Sequence, residues 1–398
     1  MLRQILKLAY YEILHILKDP ILCLMVFIAP LAYASLFGAV YVASVLNDIP
    51  LAIVNQDNSE LSRDVVAAYR NDPHFKIIAE IESYEELEAG MKTGKVRAGV
   101  VIPADFSQKL SQNGQTEILT VYDASNLIWG YNIRKNTLEV VNKFSADHTA
   151  AQLAGAGLSK HEIQNVMNTI DCNITVWYNP TFSYVNFLFM GLIIMILHQL
   201  GILGVALTIT REKERNTWLQ YLTAAIPAWK ITLGKCLPYL VVNFCNYVLL
   251  IWLSSQFVHV KIQGSVFLII LLGLLFDLII TFAGFLISVY TPNSLMVTRY
   301  IMLLSVPFFM VSGYTWPHTH IPELLNGMAR LLPSTWMMEG FRLVTIKNLT
   351  MTEVGPIFLI MGLMAFLFTG LSLTFRKQSL PPNTDDLAVN CGSTYPRE

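Results

Sequence analysis

Five consecutive residues, Arg211-Glu212-Lys213-Glu214-Arg215, alternate in charge between two long apolar runs. Opposite charges three residues apart, Arg211 with Glu214 and Glu212 with Arg215, support a helix. Trp218, Leu219, Leu222 and Ile226 continue it as an apolar stripe until Pro227 closes it. The chemistry open to such a segment is electrostatic docking: an amphipathic helix over residues 211–226, offered to a soluble partner. The plainer alternative is that its cations only fix topology. Ionisable and amide groups inside apolar runs are costly and form a second set. Asp277 is a candidate for a translocation path or a dimer seam, against a structural bond to a nearby Ser, Thr or Asn. His198 and Gln199 are candidates for cargo contact, against interhelical hydrogen bonding. A third set, His318-Thr319-His320 with Glu323, carries metal-donor atoms. Its spacing is not H-E-x-x-H, and Pro322 keeps one regular helix from presenting all three, so no metal site is assigned.

The elements that must position these groups are membrane helices. Hydrophobic residues make up 54% of the 398 and charged residues 14%, at a net charge of −1. Mean hydropathy is +0.49. A soluble globule carries about 25% charged residues, and nucleic-acid binding calls for a clustered basic face, so both classes are excluded. Apolar runs of about 20 residues span a bilayer, and six are expected: Pro20 to Leu46, Thr181 to Thr210, Cys236 to Val258, Ser265 to Tyr290, Tyr300 to Trp316 and Gly355 to Phe375. The first is too long for a signal-peptide core and reads as a retained helix. The fold class expected is an α-helical polytopic membrane protein with an inserted extracytoplasmic α/β domain.

Orientation follows from the cations at the span ends. Arg3, Lys7 and Lys18, then Arg211, Lys213, Arg215, Lys230 and Lys235, then Arg376 and Lys377 all fall on one side, which makes both termini cytoplasmic. Arg330, Arg342 and Lys347 fall on the other. On a helical wheel, Leu2, Ile5, Leu6, Ala9, Ile13 and Ile16 gather opposite Arg3, Lys7, Tyr11, His15 and Lys18. Residues 1–19 should therefore lie in the cytoplasmic interface as an amphipathic helix, ended by Asp19-Pro20. Residues 47–180 are richer in charge and amide. Strands are expected at 51–55, 96–103 and 116–123 and helices at 59–70, 84–91 and 103–110. A helical stalk from Asn126 to about Ile170 follows, and a cytoplasmic tail covers 376–398. Cys172 is the one cysteine expected outside the cell, so no disulfide forms within that domain.

Two segments carry a resemblance. One is R-E-K-E-R-N-T from Arg211, followed by a short apolar helix, a Pro, a Trp-Lys pair and Leu-Gly-Lys-Cys-Leu-Pro-Tyr. The other is MVSGYTWPHTHIPELLNGMARLLPSTWMMEGFR, Met310 to Arg342. Together, in this order among six spans, they resemble the ABC-2 type permease family, the membrane subunits of ATP-binding-cassette exporters, in the branch with a large extracytoplasmic insertion. The resemblance implies that Arg211, Glu212, Lys213, Glu214, Arg215, Trp218 and Leu222 couple to an ATPase subunit. It further implies that Gly313, Pro317, Pro322, Pro333 and Trp336 build an outer gate from re-entrant half-helices over 313–342. No G-x-x-x-x-G-K-[ST] occurs; the nearest stretch, at Gly90 to Val96, has the wrong spacing. ATP and Mg are accordingly expected on the partner ATPase and no cofactor on this chain. A second permease and a periplasmic adaptor complete the expected partners, in a bacterial inner membrane. The rival readings are a membrane-anchored sensor or receptor and, behind it, a membrane-embedded metalloenzyme.

Overall fold

The computed structural model describes residues 2–41, 47–113, 115–167, 178–179, 185–224 and 226–375. The expected cytoplasmic tail, Cys172, and the ends of the first two expected spans at 42–46 and 181–184 lie outside them. The chain divides into two compact units, residues 1–42 with 176–398, and residues 43–175.

The first unit holds six helices long and apolar enough to cross a membrane: Pro20–Tyr41, Val185–Glu214, Ala228–Phe257, Val266–Tyr290, Ser294–Val311 and Met351–Leu373, spans one to six in chain order. Spans two and four are the most buried, and span five the least. Small residues let the helices close on one another. A Cβ on Gly284 of span four would lie 2.9 Å from the Ile202 carbonyl oxygen of span two, and one on Gly234 of span three 2.5 Å from Leu8.

Two boundaries differ from the sequence expectation in the same way. Span two continues to Glu214 and span three begins at Ala228, so Arg211, Lys213 and Lys235 are not loop cations. Lys235 lies two turns inside span three and is 1% exposed. Windows of apolar composition end at a charge, whereas a helix continues wherever that charge finds a partner inside the protein.

The N-terminal helix Leu2–Lys18 forms where expected, with a buried face that is not the centre of its apolar arc. Ala9, Glu12 and Ile16 are its buried positions, while Leu2, Leu6 and Ile13 face outward. The helix packs on span three across the gap left by Gly234, and Lys230 Nζ donates to Gln4 Oε1 at 2.7 Å. The side that meets the protein is therefore rotated from the centre of the apolar arc, because Glu12 is drawn towards Lys235.

The second unit contains a four-stranded sheet in the order β2-β1-β3-β4, with β1 Ile49–Asn55, β2 Phe75–Ile81, β3 Ala98–Ile102 and β4 Leu119–Tyr122. β1 runs parallel to both β2 and β3, and β4 runs antiparallel to β3. The crossovers from β1 to β2 and from β2 to β3 run in opposite lateral directions, and right-handed connections then put their helices on opposite faces. Ile49, Leu51 and Ile53 pack with Val65, Val66 and Tyr69 of helix Glu60–Asn71, while Ala52 and Val54 pack with Leu87 of helix Tyr84–Lys92. β2 has no counterpart in the sequence reading: as an edge strand its F-K-I-I-A-E-I alternates too weakly to stand out. Helices Leu127–Gly155 and Lys160–Met167 follow the sheet.

The Tyr69 hydroxyl is buried in this core beside Thr120 and Thr137, without a hydrogen bond of ordinary geometry to either. Tyr69→Phe removes an unsatisfied polar atom, so it is expected to leave stability unchanged or raise it by up to ~1 kcal/mol. A clear fall in the thermal melting temperature of the whole protein would show that the hydroxyl is satisfied after all.

Candidate functional site

Successive side chains of a helix point about 100° apart, and the last four residues of span two use that spread to reach four different elements. Arg211 pairs with Asp19 between the N-terminal helix and span one. Asp19 Oδ1 also accepts from the Ile21 and Leu22 amides at 3.1 and 3.0 Å, capping span one. Partial burial would raise the Asp19 carboxyl, but these amides and Arg211 outweigh it and hold it below the usual carboxylate range. Glu212, 7% exposed, pairs through Oε1 with Lys235 of span three. Lys213 Nζ donates to the carbonyl oxygens of Ser288 and Thr291 at 3.2 and 2.9 Å, and to that of Val289, at the end of span four. Glu214 accepts from the Ser294 amide at 2.7 Å and from its hydroxyl at 2.8 Å, at the start of span five.

Lys235 is also bridged to Glu12 Oε2 at 2.8 Å, and Thr208 and Tyr239 donate to Glu12 Oε1, the latter at 3.2 Å. Desolvation would raise the Glu12 carboxyl, yet the ammonium beside it holds it below its ordinary value. The Tyr221 ring lies 5.3 Å from Lys235 Nζ. Two carboxylates thus share one ammonium at a junction of the N-terminal helix with spans two and three.

The 211–226 segment consequently differs from the continuous helix expected. The helix of span two ends at Glu214, and Asn216 turns the chain at φ +58°, a left-handed conformation that asparagine tolerates. A separate short helix, Trp218–Thr223, follows. The local pairs Arg211–Glu214 and Glu212–Arg215 do not form, because Arg211, Glu212 and Glu214 take partners from distant elements. Arg215 remains exposed, 3.8 Å from Asp19. Trp218 is buried, its ring 5.9 Å from Tyr221 and 6.5 Å from Phe375. The side chains of Leu219 and Leu222 lie outside the described residues.

After span five the chain makes the turn its prolines imply. Gly313 takes φ +75°, and a Cβ there would lie 2.1 Å from His318 Nε2. Pro317 precedes a single 3-10 turn, His318–His320; Pro322 precedes helix Glu323–Ala329; Pro333 opens helix Pro333–Thr345. Trp336 Nε1 donates to the Arg330 carbonyl at 2.7 Å, joining the two helices. Both ring nitrogens of His318 are buried without partners, and His320 Nδ1 bonds Thr319 at 2.9 Å. Among the described residues no three His, Cys, Asp or Glu side chains gather as a metal site.

His198 and Gln199 line a cavity of about 450 Å³ between spans two, four and five, together with Tyr290, Tyr300 and Ser305. Ser305 donates to Gln199 Oε1 at 2.9 Å, and the His198 ring lies 5.7 Å from that of Phe276. Asp277 is elsewhere, buried in span four, accepting from Thr281 at 3.3 Å. The Asn243 amide of span three lies beside it, although no hydrogen bond of ordinary geometry joins the two. The three residues expected to share a path therefore do not share one cavity wall. The sequence reading missed Glu12, Asp19, Ser288 and Ser294, and it took Lys235 for a topology signal. The only cues were an acid inside the apolar arc of the first helix and a lysine flanked by apolar residues two turns past Pro227.

Among the described residues, six helices long and apolar enough to cross a bilayer, joined at one end by such a charged junction, define a multi-pass membrane protein. The chain belongs to the ABC-2 transporter family: residues 20–374 match the family described as "ABC-2 family transporter protein". It is 23% identical over 386 residues to the "Probable multidrug ABC transporter permease YbhS" of Escherichia coli (strain K12), covering 95% of this chain and 98% of that one. It is 24% identical over 344 residues to "Probable multidrug ABC transporter permease YbhR" of the same strain, covering 86% and 90%. "Linearmycin resistance permease protein LnrN" of Bacillus subtilis (strain 168) is 24% identical over 403 residues, covering 94% and 98%. The protein is a membrane permease of an ATP-binding-cassette transporter, and that family works with an ATPase subunit.

Proposed function

We propose that this permease exports an amphipathic or apolar compound from the cytoplasm of a bacterium across its inner membrane. It does so by alternating access, as a dimer of permeases driven by two ATPase subunits that carry the ATP and Mg. The observation that carries the reading is the end of span two. Its charges are committed to the N-terminal helix and to spans three, four and five, while the turn and short helix beyond it are offered outward through Arg215, Asn216 and Gln220. A partner that moves residues 215–226 moves a segment rigidly joined to most of the bundle. Arg215 and the short helix that carries Leu222 then belong to the docked part, the buried Trp218 seats that helix on the protein, and Arg211, Glu212, Lys213 and Glu214 belong to the transmitting part.

The multidrug and linearmycin-resistance descriptions of the relatives favour an apolar cargo. So does the cavity holding His198 and Gln199, where few polar groups interrupt an apolar wall. Asp277 fits a helix-packing or dimer-seam role better than cargo contact. The outer gate is assigned to the 313–342 segment, where Gly313, Pro317, Pro322 and Pro333 break the chain into short helices. Arg3, Lys7, Lys18, Arg215 and Lys230 favour cytoplasmic termini; residues 47–180 would then face outward, where a periplasmic adaptor would dock.

The test is recovery of the ATPase with the tagged permease from native membranes. Arg215→Glu combined with Gln220→Arg is expected to reduce recovery at least about tenfold, a loss of ~1.4 kcal/mol, with the permease still inserted. Undiminished recovery would move the docking surface elsewhere.

A further inference from the structure

The connection between spans four and five is closed from outside by two adjacent residues of span two. The last carbonyls of a helix have no intrahelical partner and carry partial negative charge. Lysine has three N–H donors, and all three acceptors of Lys213 come from this helix end: Ser288, Val289 and Thr291. The first amides of a helix have the opposite need. Glu214 answers it for span five through the Ser294 amide and hydroxyl, beside Asn293, which accepts from the Met296 amide at 2.9 Å. Ser288 reciprocates, its Oγ accepting from the Ile209 and Thr210 amides of span two at 2.8 and 3.2 Å. With Gly284 set against Ile202, the ends of spans two and four form one block. Span five, the least buried of the six, is tied to that block at its first turn and lies along span two through Val297 and Ile301.

We propose that Lys213 and Glu214 are positioning residues that splice the span four–five turn to the end of span two, so that ATPase-driven movement of residues 215–226 reaches span five through this pair. The inference rests on the exporter reading above and assigns a role to two residues that would otherwise be docking contacts. A helix cap alone would hold the turn equally in every state. A splice makes the turn follow the nucleotide state of the ATPase through span two.

Hydrogen exchange across Tyr290 to Met296 separates the two roles. The full permease is isolated with its ATPase and compared without nucleotide and after trapping with ATP and vanadate. In the wild type, trapping is expected to change exchange in this turn. Lys213→Met and Glu214→Gln are expected to shrink that nucleotide-dependent difference about fivefold or more, while recovery and hydrolysis rate of the ATPase stay at wild-type levels. Because Glu214 is exposed, Glu214→Gln carries the test if Lys213→Met does not fold. Raised exchange in both states with the difference preserved would make the pair a simple cap and overturn the proposal. Loss of ATPase recovery in Glu214→Gln would make Glu214 a docking residue, and a wild-type turn indifferent to nucleotide would also overturn it. Failure of wild-type permease to bring down an ATPase would instead sink the exporter reading, and this proposal with it.

Discussion

Lys235→Met is expected to destabilise the folded protein by about 3–5 kcal/mol, the cost of stranding a buried charge whose partner has been removed. Among the described residues Lys235 is the only cation bridged to both Glu12 and Glu212, and all three are at least nine-tenths buried. Without it, two carboxylates face each other away from water, and one must take up a proton or the N-terminal helix must leave span three. The full replacement Glu12→Gln, Glu212→Gln, Lys235→Met leaves no charge behind. Neutral groups of similar shape are often tolerated in place of a buried ion cluster, so most of the lost stability should return. Thermal unfolding of the purified chain in detergent checks both arms; equal damage in the single and triple variants would show that shape, not charge, governs the site.

The same cluster sets a pH dependence. The Glu12 carboxyl is held below its ordinary value of 4.5, so the native state binds protons less readily than the unfolded chain. Its contribution is complete above that value and is lost as pH falls below it, through the depressed native value. The wild-type melting temperature should decline on acidification in that range more steeply than that of Glu12→Gln, which keeps Lys235 and Glu212 and removes only this carboxyl.

What the sequence made legible, and what it hid, divide along a physical line. Apolar run length is a local property, and it found all six long helices. Turn chemistry is local as well, and Gly313, Pro317, Pro322 and Pro333 mark the observed breaks. Partners of charges are not local. Glu12 and Lys235 are 223 positions apart, and nothing in the pattern around either distinguishes a paired buried ion from a solvated one. Hence the Arg211 to Glu214 run was read through its own neighbours, as i,i+3 pairs, when each side chain answers to another helix. The weakly alternating edge strand β2 escaped for a related reason, since its identity lies in its pairing with β1. The family resemblance supplied the assignment, but the internal wiring of the junction had to come from three dimensions.

Arg342→Met is expected to loosen the segment after span five more than any other single change there. Arg342 Nη2 donates to the Tyr314 carbonyl at 2.6 Å, and its guanidinium lies 4.2 Å from the Tyr314 ring and 5.4 Å from that of Phe187. Tyr314 is 2% exposed and fills the place where Gly191 of span two has no side chain; a Cβ there would sit 2.1 Å from the ring. Arg342 thus pins helix Pro333–Thr345 to the turn at Gly313 and to the beginning of span two at once. A hydrogen bond from a charged donor contributes about 1.5–3 kcal/mol and a partly desolvated cation–π contact ~0.5–2 kcal/mol, so a net loss of roughly 2–4 kcal/mol is expected after overlap between the two. Local opening of residues 312–322 should then rise about 30-fold or more, since each ~1.4 kcal/mol is a factor of ten. Arg342→Lys keeps the charge but not the planar stack, and should fall between methionine and wild type. Hydrogen exchange of this segment in the intact permease is the measurement. If exchange in Arg342→Met matches wild type, the Tyr314–Gly191 packing alone holds the turn. If lysine matches arginine, charge without stacking is sufficient.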